Sequence, residues 1–123
     1  MGRAGIALAA AAMAVVVNTG VASAADGYVR VADNSGHAFW VENGDTLHVC
    51  DDKADNWGVR GYIYRPYAGD PENGDVLIKD NDPSYDGKCS ALSKNIDESI
   101  SISLKVCNYQ GSTIILCQYT RLR

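Results

Sequence analysis

Short runs of alternating apolar and polar residues fill the chain after residue 25, and this pattern limits the possible folds more than any other feature. In residues 99–106, Ile100, Ile102, Leu104 and Val106 alternate with three serines and a lysine. Such a period of two buries one face of a β-strand and leaves the other face to water or to a polar partner. Clusters of Gly, Asn and Asp separate the runs, as turn residues do. The pattern predicts an all-β fold.

Seven segments have strand character, and residues 89–95 fit either a brief strand or one helical turn. The first three strands are expected to form a meander with tight turns. Pro66 is expected to end the fourth strand, because proline cannot donate a hydrogen bond to a sheet. The last strand has apolar residues on both faces, which predicts a central position in its sheet. The predicted strands are residues 28–32, 38–42, 46–50, 59–65, 75–79, 99–106 and 113–120.

The first 24 residues have the features of a secretory signal peptide. Arg3 precedes an apolar run of 14 residues, and Ala22-Ser23-Ala24 supplies a cleavage site of small residues. A helix that spans a membrane needs about 20 apolar residues, so the run is too short for a retained anchor. We therefore expect cleavage after Ala24 and a single secreted domain over residues 25–123.

The charge balance excludes several classes of partner. The chain has 15 acidic and 11 basic residues, and loss of Arg3 with the signal peptide changes the net charge from −4 to −5. Nucleic acids and anionic membranes are bound by surfaces rich in Lys and Arg, so neither is an expected partner. Residues 42–86 hold 11 acids and 4 bases, whereas residues 88–123 hold 5 bases and 2 acids. A domain with such a charge asymmetry can orient on a partner of complementary potential.

Four cysteines in an exported chain of this size predict two disulfides. Four cysteines allow three pairings, so the spacing alone does not decide among them. The geometry of the last two predicted strands favours one pairing, and the remaining two cysteines then pair with each other. The favoured disulfides are Cys50–Cys89 and Cys107–Cys117.

The register of the predicted last hairpin is the basis of this preference. If Gly111-Ser112-Thr113 forms a three-residue loop, Gln110 lies opposite Ile114 and Cys107 lies opposite Cys117. Residues directly opposite each other in an antiparallel pair are close enough for a disulfide. A tighter turn would shift the register and separate the two sulfur atoms.

Short strands, frequent turns and two predicted disulfides in a mature chain of 99 residues predict an antiparallel β-sandwich of immunoglobulin-like architecture. A small closed β-barrel is the alternative. Neither architecture implies a particular function.

No residue pattern predicts catalysis or a bound cofactor. A Ser–His–acid triad needs a serine activated by histidine, but His37 lies in a turn-rich stretch, His48 lies on a strand, and no Gly-x-Ser-x-Gly motif is present. The acidic loops at residues 51–55 and 80–86 offer oxygen ligands for calcium but lack the spacing of an EF-hand loop. Turn formation by Asp and Asn is the favoured explanation of these loops. We therefore predict neither enzymatic activity nor a metal site.

Aromatic side chains in loops are the best candidates for binding. Tyr and Trp combine a large apolar surface with a polar group, which suits contacts with proteins or sugars. Tyr62 and Tyr64 share one strand face, Trp40 is predicted to lie in the core, and Trp57 fits the core and the surface equally well. The candidate binding residues are loop aromatics and neighbouring acids: Trp57, Tyr67, Tyr85, Asp51, Asp52 and Asp55.

Two segments resemble a group of small secreted actinobacterial proteins: residues 44–55 (GDTLHVCDDKAD) and residues 103–107 (SLKVC), the latter followed by Cys117 ten residues on. Most proteins of this group are uncharacterised, and a β-sandwich with two disulfides is expected for them. Some resemble the adaptor subunit of umbrella toxin particles, which joins a lectin subunit to a large stalked toxin. This chain departs from the group at Asn56-Trp57, where a glycine-containing turn is expected.

The resemblance implies a secreted, non-enzymatic binding or adaptor module whose partners are other secreted proteins. A small inhibitor or antimicrobial effector that acts alone is the alternative from a different class. The resemblance transfers no individual functional residue to this sequence.

Overall fold

The computed structural model describes residues 26–123. The predicted signal peptide, with its cleavage site after Ala24, lies outside the described residues. Within residues 26–123 no helix is long and apolar enough to cross a membrane. This described part contains eight β-strands: β1 Gly27–Arg30, β2 Gly36–Val41, β3 Thr46–Asp51, β4 Gly58–Tyr67, β5 Asp70–Asp82, β6 Ser90–Ser93, β7 Ser103–Gln110 and β8 Thr113–Arg121.

The strands form two antiparallel sheets of four strands each. The first sheet has the order β1–β2–β3–β6, and the second has the order β5–β4–β7–β8. The predicted meander is confirmed, because β1, β2 and β3 are consecutive neighbours in the first sheet. Residues 89–95, which the sequence left ambiguous, contain β6, which pairs with β3. Two separate sheets confirm the predicted β-sandwich and not the closed barrel.

The core lies between the inner faces of the two sheets. Trp40 and Leu47 of the first sheet pack against Ile63 and Leu104 of the second, and all four side chains are fully buried. The core position predicted for Trp40 is confirmed. At Gly61 the sheets approach so closely that a β-carbon would lie 2.6 Å from Cγ2 of Val49. Only glycine permits this separation of the sheets.

The hairpin of β4 and β5 is longer than predicted. Pro66 does not end β4, which continues to Tyr67, and β5 begins at Asp70, before the predicted strand of residues 75–79. The reason lies on the other side of β4, where pairing with β7 stops at Tyr64. The N–H that Pro66 lacks is therefore not required by a third strand, and Pro66 pairs with Gly74 alone.

The register predicted for the last hairpin is wrong, although both predicted disulfides are confirmed. Gln110 lies opposite Thr113, so the turn has two residues and Gln110 does not face Ile114. A register shift then follows before Val106 pairs with Gln118. Leu116 takes a φ of 60° in this irregular stretch, which is the signature of an inserted bulge residue. The turn is one residue shorter than predicted, and the bulge adds one residue to β8. The two changes cancel, so Cys107 still lies opposite Cys117.

Both disulfides connect closely spaced backbone positions. The Cα atoms of Cys107 and Cys117 are 4.2 Å apart, and those of Cys50 and Cys89 are 4.3 Å apart. The first bridge closes a hairpin, whereas the second ties the end of β3 to the segment that leads into β6. The Cys50–Cys89 bridge joins residues that are 39 positions apart in the chain.

The positions of β7 and β8 also differ from the prediction. β7 runs from Ser103 to Gln110, so Ile100 and Ile102 precede it, although Ile102 is still fully buried. β8 is an edge strand of the second sheet and not a central one. Its apolar residues Ile114, Leu116 and Tyr119 are exposed. The apolar residues on both faces of β8 therefore do not indicate a central position in the sheet, and that prediction is wrong.

Candidate functional site

A cleft of about 270 Å³ lies at one end of the sandwich, between the β3–β4 loop and the segment after β5. We call it the loop cleft. Four of the six predicted binding residues line it: Asp51, Asp55, Trp57 and Tyr85. The sequence prediction therefore named four of the nine residues that line this cleft.

The aspartates of the loop cleft shape its backbone. Oδ1 of Asp51 accepts a hydrogen bond from the N–H of Lys53 at 3.1 Å, and Oδ1 of Asp55 accepts one from the N–H of Trp57 at 3.0 Å. Both are Asx turns, in which a side chain holds the backbone two residues on. The predicted role of these residues in turns is confirmed.

The other two predicted binding residues lie elsewhere. Oδ2 of Asp52 is 2.6 Å from Nδ1 of His37 and 3.8 Å from a guanidinium nitrogen of Arg30. These partners place Asp52 on the outer face of the first sheet. Tyr67 ends β4, whose opposite end begins directly after the loop cleft, so Tyr67 is exposed at the far end of the sandwich. The six residues do not form one site.

Asp82, which sequence analysis did not select for binding, lies beside Asp51. Oδ2 of Asp82 accepts a hydrogen bond from the backbone N–H of Asp51 at 2.8 Å, and both residues are buried. Burial raises the pKa of Asp82 above its usual range, and repulsion from Asp86 and Asp80 raises it further. Burial likewise raises the pKa of Asp51, as do the carboxylates of Asp55 and Asp82. The ionised carboxylates are thus less stable here than in water.

Replacement of Asp82 with asparagine is expected to raise the free energy of unfolding by about 1 kcal/mol near pH 7. The amide oxygen of the new side chain would still accept the Asp51 N–H, while the buried charge would be gone. Because the pKa of Asp82 is raised in the folded state, the wild type loses stability as the pH rises through that pKa. The advantage of Asp82→Asn over the wild type should therefore shrink toward about pH 4, as measured by urea denaturation.

Asp86→Asn is the matched control. Oδ1 of exposed Asp86 accepts the N–H of Lys88 at 3.0 Å, so this substitution also keeps an acceptor but removes an exposed charge. We expect a change of less than about 0.5 kcal/mol. A loss of stability in Asp82→Asn near pH 7 would contradict the interpretation, because the carboxylate would then stabilise the fold.

A row of four planar side chains crosses the outer face of the first sheet, and we call it the ring row: Tyr28, His37, Phe39 and His48. Successive ring centres are 5.1, 6.1 and 4.3 Å apart, and each pair is stacked. The guanidinium of Arg30 lies 5.6 Å from the centre of the Tyr28 ring. Because successive rings stack on one another, the faces between them are covered, and ring edges remain accessible along the row.

Tyrosines and cations share the outer face of the second sheet. Val59, Ile63, Leu104 and Val106 are fully buried on the inner face, so their strand neighbours point outward. Arg60 packs over the ring of Tyr109, 4.3 Å from its centre. We call this surface the cationic face; its residues are Arg60, Tyr62, Lys105, Tyr109, Tyr119 and Arg121.

A cavity of about 210 Å³ opens on the same side of the second sheet, lined in part by Tyr62, Tyr64, Val76 and Lys105. The hydroxyl of Tyr64 donates a hydrogen bond to the carbonyl of Pro71 at 2.7 Å. Burial raises the pKa of Tyr64 to about 12. This phenol is therefore neutral at physiological pH and serves as a hydrogen-bond donor.

The acidic cluster of Glu42, Asp45 and Glu98 is held by partners within the protein. Its carboxylate oxygens lie within 4.8 Å of one another. The guanidinium of Arg123 is 3.2 Å from Glu42 and 3.6 Å from Glu98, and Oδ2 of Asp45 accepts the N–H of Ile96 at 2.8 Å. The three acids thus connect segments that are distant in the sequence, and this structural role explains why they lie together.

The sequence carries a partial signal for the outer face of the second sheet. Period two places Tyr62 and Tyr64 on one face, and the same rule places Arg60 with Tyr62 and Lys105 with Tyr109. It does not tell which strands are neighbours. The pairing of β4 with β7, and of β7 with β8, brings these side chains together.

The fold and its surfaces define a disulfide-linked β-sandwich with aromatic side chains on both outer faces. No protein-family model, curated protein or solved structure matches this chain.

Proposed function

We propose that this protein is a secreted, non-enzymatic adaptor that joins two other proteins in an extracellular assembly. The observation that carries the proposal is the presence of two chemically different aromatic surfaces, the ring row and the cationic face, on opposite sides of one sandwich. An adaptor needs two such surfaces at a fixed separation. Two disulfides support that rigidity and are compatible with an extracellular protein.

The ring row favours a protein partner over a sugar. A sugar stacks on the exposed face of an aromatic ring, whereas these rings stack on one another, with only 6° between the planes of Phe39 and His48. Ring edges, the Arg30 guanidinium and the Asp52 carboxylate instead offer donors and acceptors beside apolar surface. Interfaces between proteins combine these groups.

The surroundings of the two histidines support a role other than catalysis. His37 is hydrogen-bonded to Asp52, and both histidines stack on Phe39. Within residues 26–123, neither imidazole is hydrogen-bonded to a hydroxyl group that it could activate. Their role in this proposal is to contribute ring surface and polar edges to binding.

The resemblance to small actinobacterial proteins supplies the kind of partners. By analogy with the umbrella toxin adaptor, one partner would be a lectin-like subunit and the other a large toxin. A second candidate function, a small inhibitor or antimicrobial effector that acts alone, is favoured by the loop cleft. Its four predicted binding residues converge at a single site, which suits a protein with one target.

Two tyrosines provide a matched test. Tyr28 and Tyr119 are 50% and 40% exposed and lie on opposite outer faces, so either can be replaced with glutamate at little cost to the fold. We expect Tyr28→Glu to lose one co-purifying protein and Tyr119→Glu to lose a different one, each by about tenfold or more. The measurement is quantitative mass spectrometry of proteins captured from the native culture supernatant by each variant and by the wild type.

Any other pattern of losses would contradict the adaptor proposal. If both variants lose the same single protein, or if neither variant loses any, the two faces do not bind separate partners. Loss of a single captured enzyme on substitution of Trp57 or Tyr85, with Tyr28→Glu and Tyr119→Glu unaffected, would instead establish the inhibitor.

A further inference from the structure

We propose that the cationic face binds an acidic surface of a partner protein. This inference rests on the proposed adaptor function and assigns a chemistry to one of its two partners. It follows from the hydrogen bonds of three cations, from the distribution of acids in the chain, and from the tyrosines between the cations.

The cations of this face have only neutral partners. Nε of Arg60 donates to Oδ1 of Asn81 at 2.7 Å. Nζ of Lys105 donates to the backbone carbonyl of Glu72 at 3.0 Å and to Oδ1 of Asn73 at 3.2 Å. Nη2 of Arg121 donates to Oγ of Ser101 at 3.1 Å. These bonds hold the cationic groups in place, and none of them is an ion pair.

Two other arginines among residues 26–123 are paired with acids. Arg30 lies near Asp52, and Arg123 lies near Glu42 and Glu98. Among residues 26–123, no ion pair involves Arg60, Lys105 or Arg121. Glu72 lines the same cavity as Lys105 but forms no ion pair with it, so the three neighbouring cations still give this face a positive potential.

The sequence of the β7–β8 hairpin strengthens this potential. Residues 99–123 contain no Asp or Glu. Lys105 lies directly opposite Tyr119, so a positive charge and an exposed aromatic ring are adjacent on the surface. The Arg60 guanidinium lies over the ring of Tyr109, so a second cation and a second tyrosine are also adjacent. Exposed Tyr and Arg side chains are the residues that contribute most to protein interfaces.

Charge also decides among the possible occupants. A symmetric dimer through this face would place two identical positive surfaces against each other, and like charges facing each other oppose association. Nucleic acid is bound through many phosphate contacts, and this face offers few cations: Arg60, Lys105 and Arg121, with Lys79 opposite Tyr62. An acidic protein surface matches both the charge of the cations and the apolar area of Tyr62, Tyr109 and Tyr119.

The test uses an oligoglutamate peptide as the probe and isotope-labelled protein comprising residues 25–123. On titration, we expect NMR shift changes at Lys105, Tyr109 and Tyr119 and at their strand neighbours, with none at the ring row. Binding should weaken steeply as salt is added, because the Debye length falls from about 8 Å at physiological ionic strength to about 3 Å at 1 M. Heparin and a DNA duplex are titrated in parallel.

Lys105→Glu and Lys94→Glu form a matched pair of variants. Nζ of Lys94 donates to the backbone carbonyl of Leu77 at 3.1 Å, as Nζ of Lys105 does to that of Glu72, and both substitutions change the net charge equally. We expect Lys105→Glu and Arg121→Glu each to weaken binding of the peptide by about tenfold. Lys94→Glu should leave it unchanged, and circular dichroism checks that all variants fold.

Three results would overturn the proposal. These are tighter binding of heparin or DNA than of the peptide, shift changes centred away from the cationic face, and equal losses in Lys105→Glu and Lys94→Glu. The test is independent of partner capture. If the peptide binds the cationic face but no captured protein depends on Tyr119, the adaptor proposal fails and the chemistry of the face stands.

Discussion

Replacement of Cys50 and Cys89 with alanine is expected to lower the free energy of unfolding by about 4 kcal/mol. The two residues are 39 positions apart, and a bridge over a long loop removes much conformational freedom from the unfolded chain. The bridge also ties the strand that precedes the loop cleft to the segment that enters β6. Urea denaturation of the double variant under non-reducing conditions measures the effect.

The Cys107→Ala, Cys117→Ala double variant is the control. Its bridge spans only 10 positions within one hairpin. Because the stabilisation by a disulfide increases with the length of the loop that it closes, we expect a smaller loss, about 3 kcal/mol. A loss below about 1 kcal/mol for the Cys50–Cys89 pair would contradict the view that this bridge stabilises the sandwich.

Replacement of Trp40 with alanine is expected to cost about 3–5 kcal/mol. Its side chain is fully buried between the sheets, and its Nε1–H donates to Oε1 of Glu42 at 2.9 Å. Loss of the indole leaves a large cavity in a core of only 13 buried apolar residues among residues 26–123. Thermal denaturation should show a lower midpoint or, in the extreme case, no cooperative transition.

Trp57→Ala provides the comparison. Trp57 is only partly buried and lines the loop cleft, so its replacement should cost far less, about 1 kcal/mol. Equal losses in the two variants would show that Trp57 belongs to the core as much as Trp40 does. The sequence did not decide between those positions for Trp57.

The class of fold could be predicted because the alternation of apolar and polar residues within each strand shows which of its faces is buried. Alternation over residues 99–106 and the Gly and Asn residues between the strands are local properties, and they suffice to predict an all-β fold. The bounds of individual strands depend on neighbours. Pro66 remains within β4 because no strand pairs on its far side, and no local pattern could indicate that.

The last hairpin shows how a correct contact can follow from an incorrect register. The expected pairing of Cys107 with Cys117 required one residue more on β8 than on β7. The chain supplies that residue at Leu116, in a bulge, and not in the turn. A leucine with positive φ carries no sequence signal for a bulge, since Gly or Asn favours that conformation.

The candidate surfaces were harder to predict than the fold. Asp51, Asp55 and Trp57 are close in sequence, so their shared cleft needed only a loop. The ring row needs the register of three strands, because Phe39 pairs with Tyr28 on one side and with His48 on the other. The cationic face likewise combines residues of several strands. Such surfaces become visible only when strand order is known.

Site-specific photo-crosslinking tests the adaptor function most directly. A photoreactive phenylalanine derivative replaces Tyr28 in one sample and Tyr119 in another, each sample is irradiated within the native secreted assembly, and the crosslinked proteins are identified by mass spectrometry. We predict that positions 28 and 119 capture two different proteins, and that the protein captured at position 119 presents an acidic surface. Capture of one and the same protein at both positions, or of none at either, would contradict the adaptor function.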